Sequence, residues 1–129
     1  LATAKSGVKR SSGMPSIQFS LLAMLRLVDE GVLTMETLVE TMCHAPARIF
    51  GVSKRGFIKR GYTADFVLLR PNSPHTIEKK DIISKCGWSP FEGETFNWAV
   101  AQTWVNGERA YNEGEINEDI RGKALVFER

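Results

Sequence analysis

The stretch that decides the fold is Lys54-Arg55-Gly56-Phe57-Ile58-Lys59-Arg60-Gly61-Tyr62-Thr63-Ala64-Asp65-Phe66-Val67-Leu68-Leu69-Arg70-Pro71. Two glycines, each following a basic pair, bracket the apolar dyad Phe57-Ile58, and the chain then runs into Phe66-Val67-Leu68-Leu69 before stopping at Pro71-Asn72. Bounded apolar runs punctuated by glycine predict a strand, a tight turn and a second, buried strand. Asp65 falls where turn becomes strand, and a short carboxylate there can accept hydrogen bonds from the backbone N–H groups of the turn. Its expected job is structural.

Upstream, the apolar residues Ile17, Leu21, Leu22, Met24, Leu25 and Val28 recur at helical spacing after Pro15 and stop at Gly31, where a left-handed residue closes a helix. Thr34 is a good N-cap for a second helix carrying Met35, Leu38, Val39 and Met42 on one face, with Glu36 near the positive end of its dipole. Pro46 is expected to break that helix, leaving a short third one from Ala47 to Phe50 that ends at Gly51. Residues 1–14 are rich in Ser, Gly and Lys, have no period, and read as a loop.

Downstream of Pro71 the pattern loosens. Residues 72–98 form a long connection with a short strand near Thr76-Ile77, a helical turn around Asp81 to Lys85, and the aromatics Trp88, Phe91, Phe96 and Trp98. Four aromatics in an irregular segment imply burial, against a surface that need not lie within these 129 residues. Val100 to Val105, then Asn106-Gly107, then Glu108 to Tyr111 is a hairpin, because Asn-Gly supplies the two positive-φ residues of a type I′ turn. Gly114 makes another turn, and Ala124 to Phe127 ends the chain as a strand or a tail. The 65–70 run is expected to pair with this hairpin.

With 17 basic and 15 acidic residues the net charge is +2, which gives no support to a nucleic-acid or anionic-membrane partner. The pairs Lys54-Arg55, Lys59-Arg60 and Lys79-Lys80 read as solvated turn residues. No run approaches the roughly 20 apolar residues of a membrane span. Cys43 and Cys86 lie far apart without a secretory leader, which favours reduced thiols and a cytoplasmic location. The start Leu-Ala-Thr-Ala-Lys, with no initiator Met, suggests a piece of a longer polypeptide.

Catalytic chemistry is hard to find in these residues. Only two histidines are present, His44 and His75, and neither belongs to a His-x-His or Cys-x-x-Cys pair. A zinc cluster of Cys43, His44, His75 and Cys86 would need adjacent helical residues that point about 100° apart. His44 is better read as a capping or packing residue. No serine sits in a Gly-x-Ser-x-Gly elbow, neither cysteine has an assignable base, and Gly56 and Gly61 form neither a dinucleotide fingerprint nor a P-loop. The residues alone therefore assign no catalytic group and no metal ligand.

The order of the motifs carries a resemblance. Cys43-His44-Ala45-Pro46-Ala47-Arg48-Ile49-Phe50-Gly51 followed by the quoted stretch resembles the passage in which metal-dependent amidohydrolases leave their catalytic barrel for a small β-sandwich, with His44 where that pattern usually has Asn. Ser89-Pro90-Phe91-Glu92-Gly93 and then Val100, Thr103, Val105, Gly107 and Tyr111 are similar to the ending of the dihydroorotases and of the related dihydropyrimidinases and allantoinases. The resemblance implies an α/β piece: the last helices of a (β/α)₈ barrel in 1–50, then strands of a small β-sandwich in 51–129, with 72–98 packed on the barrel. It implies two Zn²⁺ in the intact enzyme, held by residues upstream of Leu1 and by none in this chain, so that the chain alone would be inert. It implies the small-molecule substrates dihydroorotate and N-carbamoyl-L-aspartate, the preceding barrel as partner, and leaves room for a homodimer. Finally, Ser11 to Pro15 is similar to the loop that brings backbone groups to the substrate, which marks Ser12, Gly13 and Met14 as substrate-binding residues. The competing reading of that loop is a turn that merely starts a helix. The competing readings of the chain are a related dihydropyrimidinase, allantoinase or non-catalytic homologue and, from another class, an autonomous interaction module that uses the 72–98 aromatics as its binding surface.

Overall fold

The structure, a computed structural model, describes residues 13–128. A 3₁₀ turn at Ile17–Phe19 leads directly into α1 (Ser20–Asp29), so helical structure starts two residues after Pro15. The stop at Gly31 is as expected: Gly31 has φ +71, its N–H bonds Val28 O at 3.0 Å, and Val32 N bonds Leu27 O at 2.9 Å, the paired bonds of a Schellman end. Thr34 caps α2 (Met35–Val39), its Oγ1 accepting from Thr37 N at 3.1 Å.

Pro46 does not break the helix. Between α2 and α3 (Ala45–Ile49) the chain forms a π-helical turn, Glu40–His44, in which Ala45 N reaches Glu40 O, five residues back. Helical dihedrals continue through His44 (φ −72, ψ −52) and Ala45 (φ −61, ψ −47). A wide turn just ahead of the proline makes room for its ring and leaves no α-type donor to be missed, so one helical run with a bulge replaces two helices with a break.

The decisive stretch also differs from its expected form. Phe57-Ile58 is not a strand: Ile58 is almost fully exposed, and Phe57 turns back to stack on His44 at 4.2 Å between ring centroids, with Tyr62 against its edge. Phe57 finds its packing on a helix face and has no need of a ladder. Gly56 is pinned by that packing, since at φ +79 a Cβ would come within 2.8 Å of Cys43 O and closer still to the Ala47 methyl.

β1 (Phe66–Arg70) forms where expected and pairs antiparallel with β4 (Ala99–Val105), which pairs with β5 (Glu108–Asn112) and then β6 (Glu115–Ile116), in the order β1-β4-β5-β6. The Asn106-Gly107 turn has φ +53 and +82, and Phe66 opposes Trp104 with rings stacked at 5.6 Å. Bulges sit between Leu68 and Leu69 and between Thr103 and Trp104. β1 is nevertheless not buried: Val67 and Leu68, consecutive residues whose side chains point to opposite faces of the sheet, are 41% and 46% exposed. The tail ends by bridging Val52 and Phe127.

The core lies elsewhere. β2 (His75–Thr76) and β3 (Thr95–Phe96) form a small separate ladder that carries Ile77 and Phe96 onto Phe19, with Leu22, Ala23, Ile82 and Phe91 around them. Arg26 of α1 lies over the Phe96 ring at 4.3 Å and bonds Glu94 and Thr95 O. The 72–98 aromatics are thus unequal. Phe96 and Phe91 pack on α1, Trp98 donates to Asp29 at 2.9 Å, and Trp88 remains 39% exposed. The helical turn expected at Asp81 to Lys85 occurs earlier, as a 3₁₀ turn at Lys79–Asp81.

Asp65 is structural as expected but holds a different turn. Its Oδ1 accepts from Asn106 N at 2.7 Å, across the hairpin, and its Oδ2 pairs with Arg55, which also bonds Asn106 Oδ1 at 2.6 Å. Arg55 is therefore no solvated turn residue, its side chain being only 18% exposed. Asp65→Ala should cost about 1–3 kcal/mol by orphaning the Asn106 N–H and the Arg55 charge together; a chemical denaturation midpoint equal to that of the unmodified chain contradicts the assignment. Gly56→Ala should cost a similar amount, about 1–3 kcal/mol of overpacking against the helix, read in the same experiment.

Candidate functional site

Of the three predicted substrate-binding residues, Ser12 lies outside the described residues. Gly13 and Met14 are exposed, Met14 at 62%, just before the first helical turn. Ser16 N bonds Met14 O at 3.0 Å and Phe19 N bonds Ser16 O at 3.2 Å, so the loop closes tightly onto the helix start. Ser16, at the N-cap, makes no side-chain cap bond. A Cβ on Gly13 would meet nothing within 4 Å. Gly13 is thus demanded by no contact within the described chain, and a cost to a larger residue there must come from a molecule or a segment outside it.

The loop is fixed from behind by two neighbouring side chains. Phe19 enters the core. Gln18 reaches across to the connection, its Nε2 donating to Asp81 O at 2.5 Å and its Oε1 accepting from Ile83 N at 3.0 Å. Asp81 in turn accepts from Glu78 N and from His75 Nε2, each at 2.8 Å. These bonds hold the Asp81 carboxyl below the ordinary carboxylate range, the Glu78 N–H contributing most and the His75 ring next. Sequence reasoning missed Gln18, whose only signal is a polar residue between two apolar ones in a first helical turn.

The remaining polar clusters have structural roles. His44 stacks on Phe57 and lies 3.4 Å from Glu40, which also pairs with Arg48, so it packs as expected. His75 has a carboxylate partner, but among the described residues no hydroxyl or thiol bonds its ring, so the pair has no nucleophile to activate. Among the described residues no three His, Cys, Asp or Glu side chains converge in a way that could hold a metal ion. The described residues offer no ligand set for the zinc ions that the sequence resemblance implies. Among the same residues no helix is long and apolar enough to cross a membrane.

Against known proteins the picture is consistent. The model of the "Amidohydrolase family" matches residues 19–111. The chain is 32% identical over 116 residues to the dihydroorotase of Pyrococcus furiosus, covering 90% of this chain and 28% of the relative. It is 34% identical over 102 residues to the allantoinase of Bacillus velezensis, covering 79% of this chain and 22% of the relative. The structure of a D-hydantoinase superimposes with a TM-score of 0.76 at 26% identity, over 82% of this chain and 23% of that one. The chain belongs to the amidohydrolase family. It spans about a quarter of the length of the relatives it matches, and its α/β architecture is the expected one.

Two outcomes follow for the isolated chain. Gly13→Val should leave its denaturation midpoint unchanged to within about 0.5 kcal/mol, and a larger loss would mean that the loop is packed. A carboxyl with a depressed folded pKa stabilises above its unfolded pKa, near pH 4, and that contribution is lost as pH falls through the lowered folded value. The gap in melting temperature between the unmodified chain and Asp81→Ala should accordingly be steady above about pH 5 and shrink on further acidification; a gap independent of pH down to the acid limit contradicts the bond set at Asp81.

Proposed function

We propose that this chain is the C-terminal part of a dihydroorotase-type cyclic amidohydrolase, the whole protein interconverting N-carbamoyl-L-aspartate and dihydroorotate in pyrimidine biosynthesis. The observation that carries the reading is the 32% identity over 90% of this chain to an enzyme named dihydroorotase. The two Zn²⁺ of such an enzyme, which would activate the water that opens the ring, belong in this reading to residues preceding Leu1. This chain contributes Ser12, Gly13 and Met14 as the substrate-facing loop, backbone donors approaching a small polar ligand closely at the glycine. A cytoplasmic location, the preceding barrel as partner and a homodimer form part of the same proposal.

Open apolar side chains on both faces of β1 support it, since Val67 and Leu68 lie exposed in an edge strand paired on one side only. The interaction-module reading is disfavoured, because Phe91 and Phe96 face α1 and present no continuous aromatic surface. The related cyclic amides remain the alternative substrates, given the allantoinase and hydantoinase matches.

The test is a substrate panel. The full-length protein, purified with its metal retained, should turn over dihydroorotate with kcat/KM at least about 100-fold above allantoin, hydantoin and dihydrouracil. A preference for any of the other three reassigns the substrate, and no turnover of any of them overturns the enzymatic reading.

A further inference from the structure

Gln18 is held as no other side chain in the described part of the molecule is. Its carboxamide bonds the carbonyl of residue 81 and the N–H of residue 83, which lie two apart on an extended segment, Ile82 having φ −86 and ψ 104. In extended backbone the carbonyl of one residue and the N–H of the second residue after it face the same side, so the carboxamide stands where a neighbouring strand's peptide would. The Asn and Gln carboxamides carry a donor and an acceptor side by side on one planar group, and Gln has the longer reach. Ile17, next to it, is almost fully exposed and contributes no packing, whereas Phe19 is buried. The turn at 13–16 is therefore tied to the rest of the chain at one end by Gln18 through hydrogen bonds and by Phe19 through the core.

We infer that Gln18 is a positioning residue for substrate binding: it fixes the Gly13–Ser16 turn against the 81–83 segment, so that the backbone groups of the turn are presented in one orientation. The inference rests on the reading of Gly13 and Met14 as substrate contacts. Gln18 itself touches no substrate and acts through the turn. Its partner segment is itself held, because the Asp81 side chain is bonded to Glu78 N and His75 while the Asp81 carbonyl takes the Gln18 amide. The core contact of Phe19 survives loss of these bonds, so the turn would stay attached but gain freedom, and a misplaced binding group weakens substrate capture before it weakens chemistry.

The experiment uses the full-length enzyme with dihydroorotate as probe and four variants: Gln18→Met, which keeps size and removes both bonds; Gln18→Glu, which keeps the acceptor and loses the donor; Gly13→Val; and the double variant Gly13→Val with Gln18→Met. Both Gln18 variants should raise KM, Gln18→Met by about tenfold, while kcat stays within about twofold and metal content is unchanged. Added to Gly13→Val, Gln18→Met should raise KM little further, since both act on one turn. Wild-type KM in the Gln18 variants, beside an impaired Gly13→Val, overturns the role of Gln18 and leaves the loop reading standing. A lowered melting temperature with KM unchanged does the same, since it reduces Gln18 to a structural tie. Wild-type kinetics in Gly13→Val removes the loop reading and this inference with it. If Gln18→Met does not fold, Gln18→Glu alone decides, with a raised KM supporting the role and an unchanged KM overturning it.

Discussion

One carboxylate holds together the two halves of this chain. Asp65 accepts the backbone N–H of Asn106 and pairs with Arg55, so the loop leaving the helices, the first residues of β1 and the hairpin turn meet at a single side chain. Each group alone would be a poor fastening: the loop carries no ladder, and a two-residue turn fixes only its own strands. Joined through a partly buried ion pair with matching hydrogen bonds, they define where the sheet stands relative to α3. The arrangement carries one unmet demand, the buried Nδ2 of Asn106, which finds no acceptor among the described residues.

A second fastening is independent of the first. Arg26 over Phe96, Trp98 on Asp29 and Gln18 on the 81–83 segment draw the long connection onto α1. This explains how a segment with so little regular structure contributes Ile77 and Phe96 to the core. Its two short strands serve mainly to aim Ile77 and Phe96 inward. The candidate loop stands at the end of this arrangement, and its geometry is inherited from the packing of the connection.

Much of this was legible in the sequence where a rule is local. Thr34, Gly31 and Asn106-Gly107 each impose a conformation on their immediate neighbours, and the cap, the stop and the hairpin all formed. Reading failed where a distant partner decided. Phe57-Ile58 has strand chemistry, but His44 offered Phe57 a stacking face, and Pro46 breaks a helix only if the preceding turn cannot widen. Arg55 looked like any basic turn residue because Asp65 and Asn106 reach it only in three dimensions. The candidate loop was visible through resemblance alone, since neither Gly13 nor Met14 carries a chemical signature, and Gln18 became visible only once its partners were placed.

The π turn at Glu40–His44 has a consequence for how this helix tolerates changes in length. A turn with an i to i+5 bond holds one more residue than the α-turn it replaces, so the segment behaves as an accommodated insertion. Deleting one residue there would convert it to regular α-helix while leaving the residues after it on nearly the same face, because the bulge already takes up the extra residue within one turn. Pro46 would then meet an ordinary turn, in which its ring crowds the carbonyl four residues back. The bulge and the proline should therefore be gained or lost together, the extra residue and the ring each requiring the widened turn.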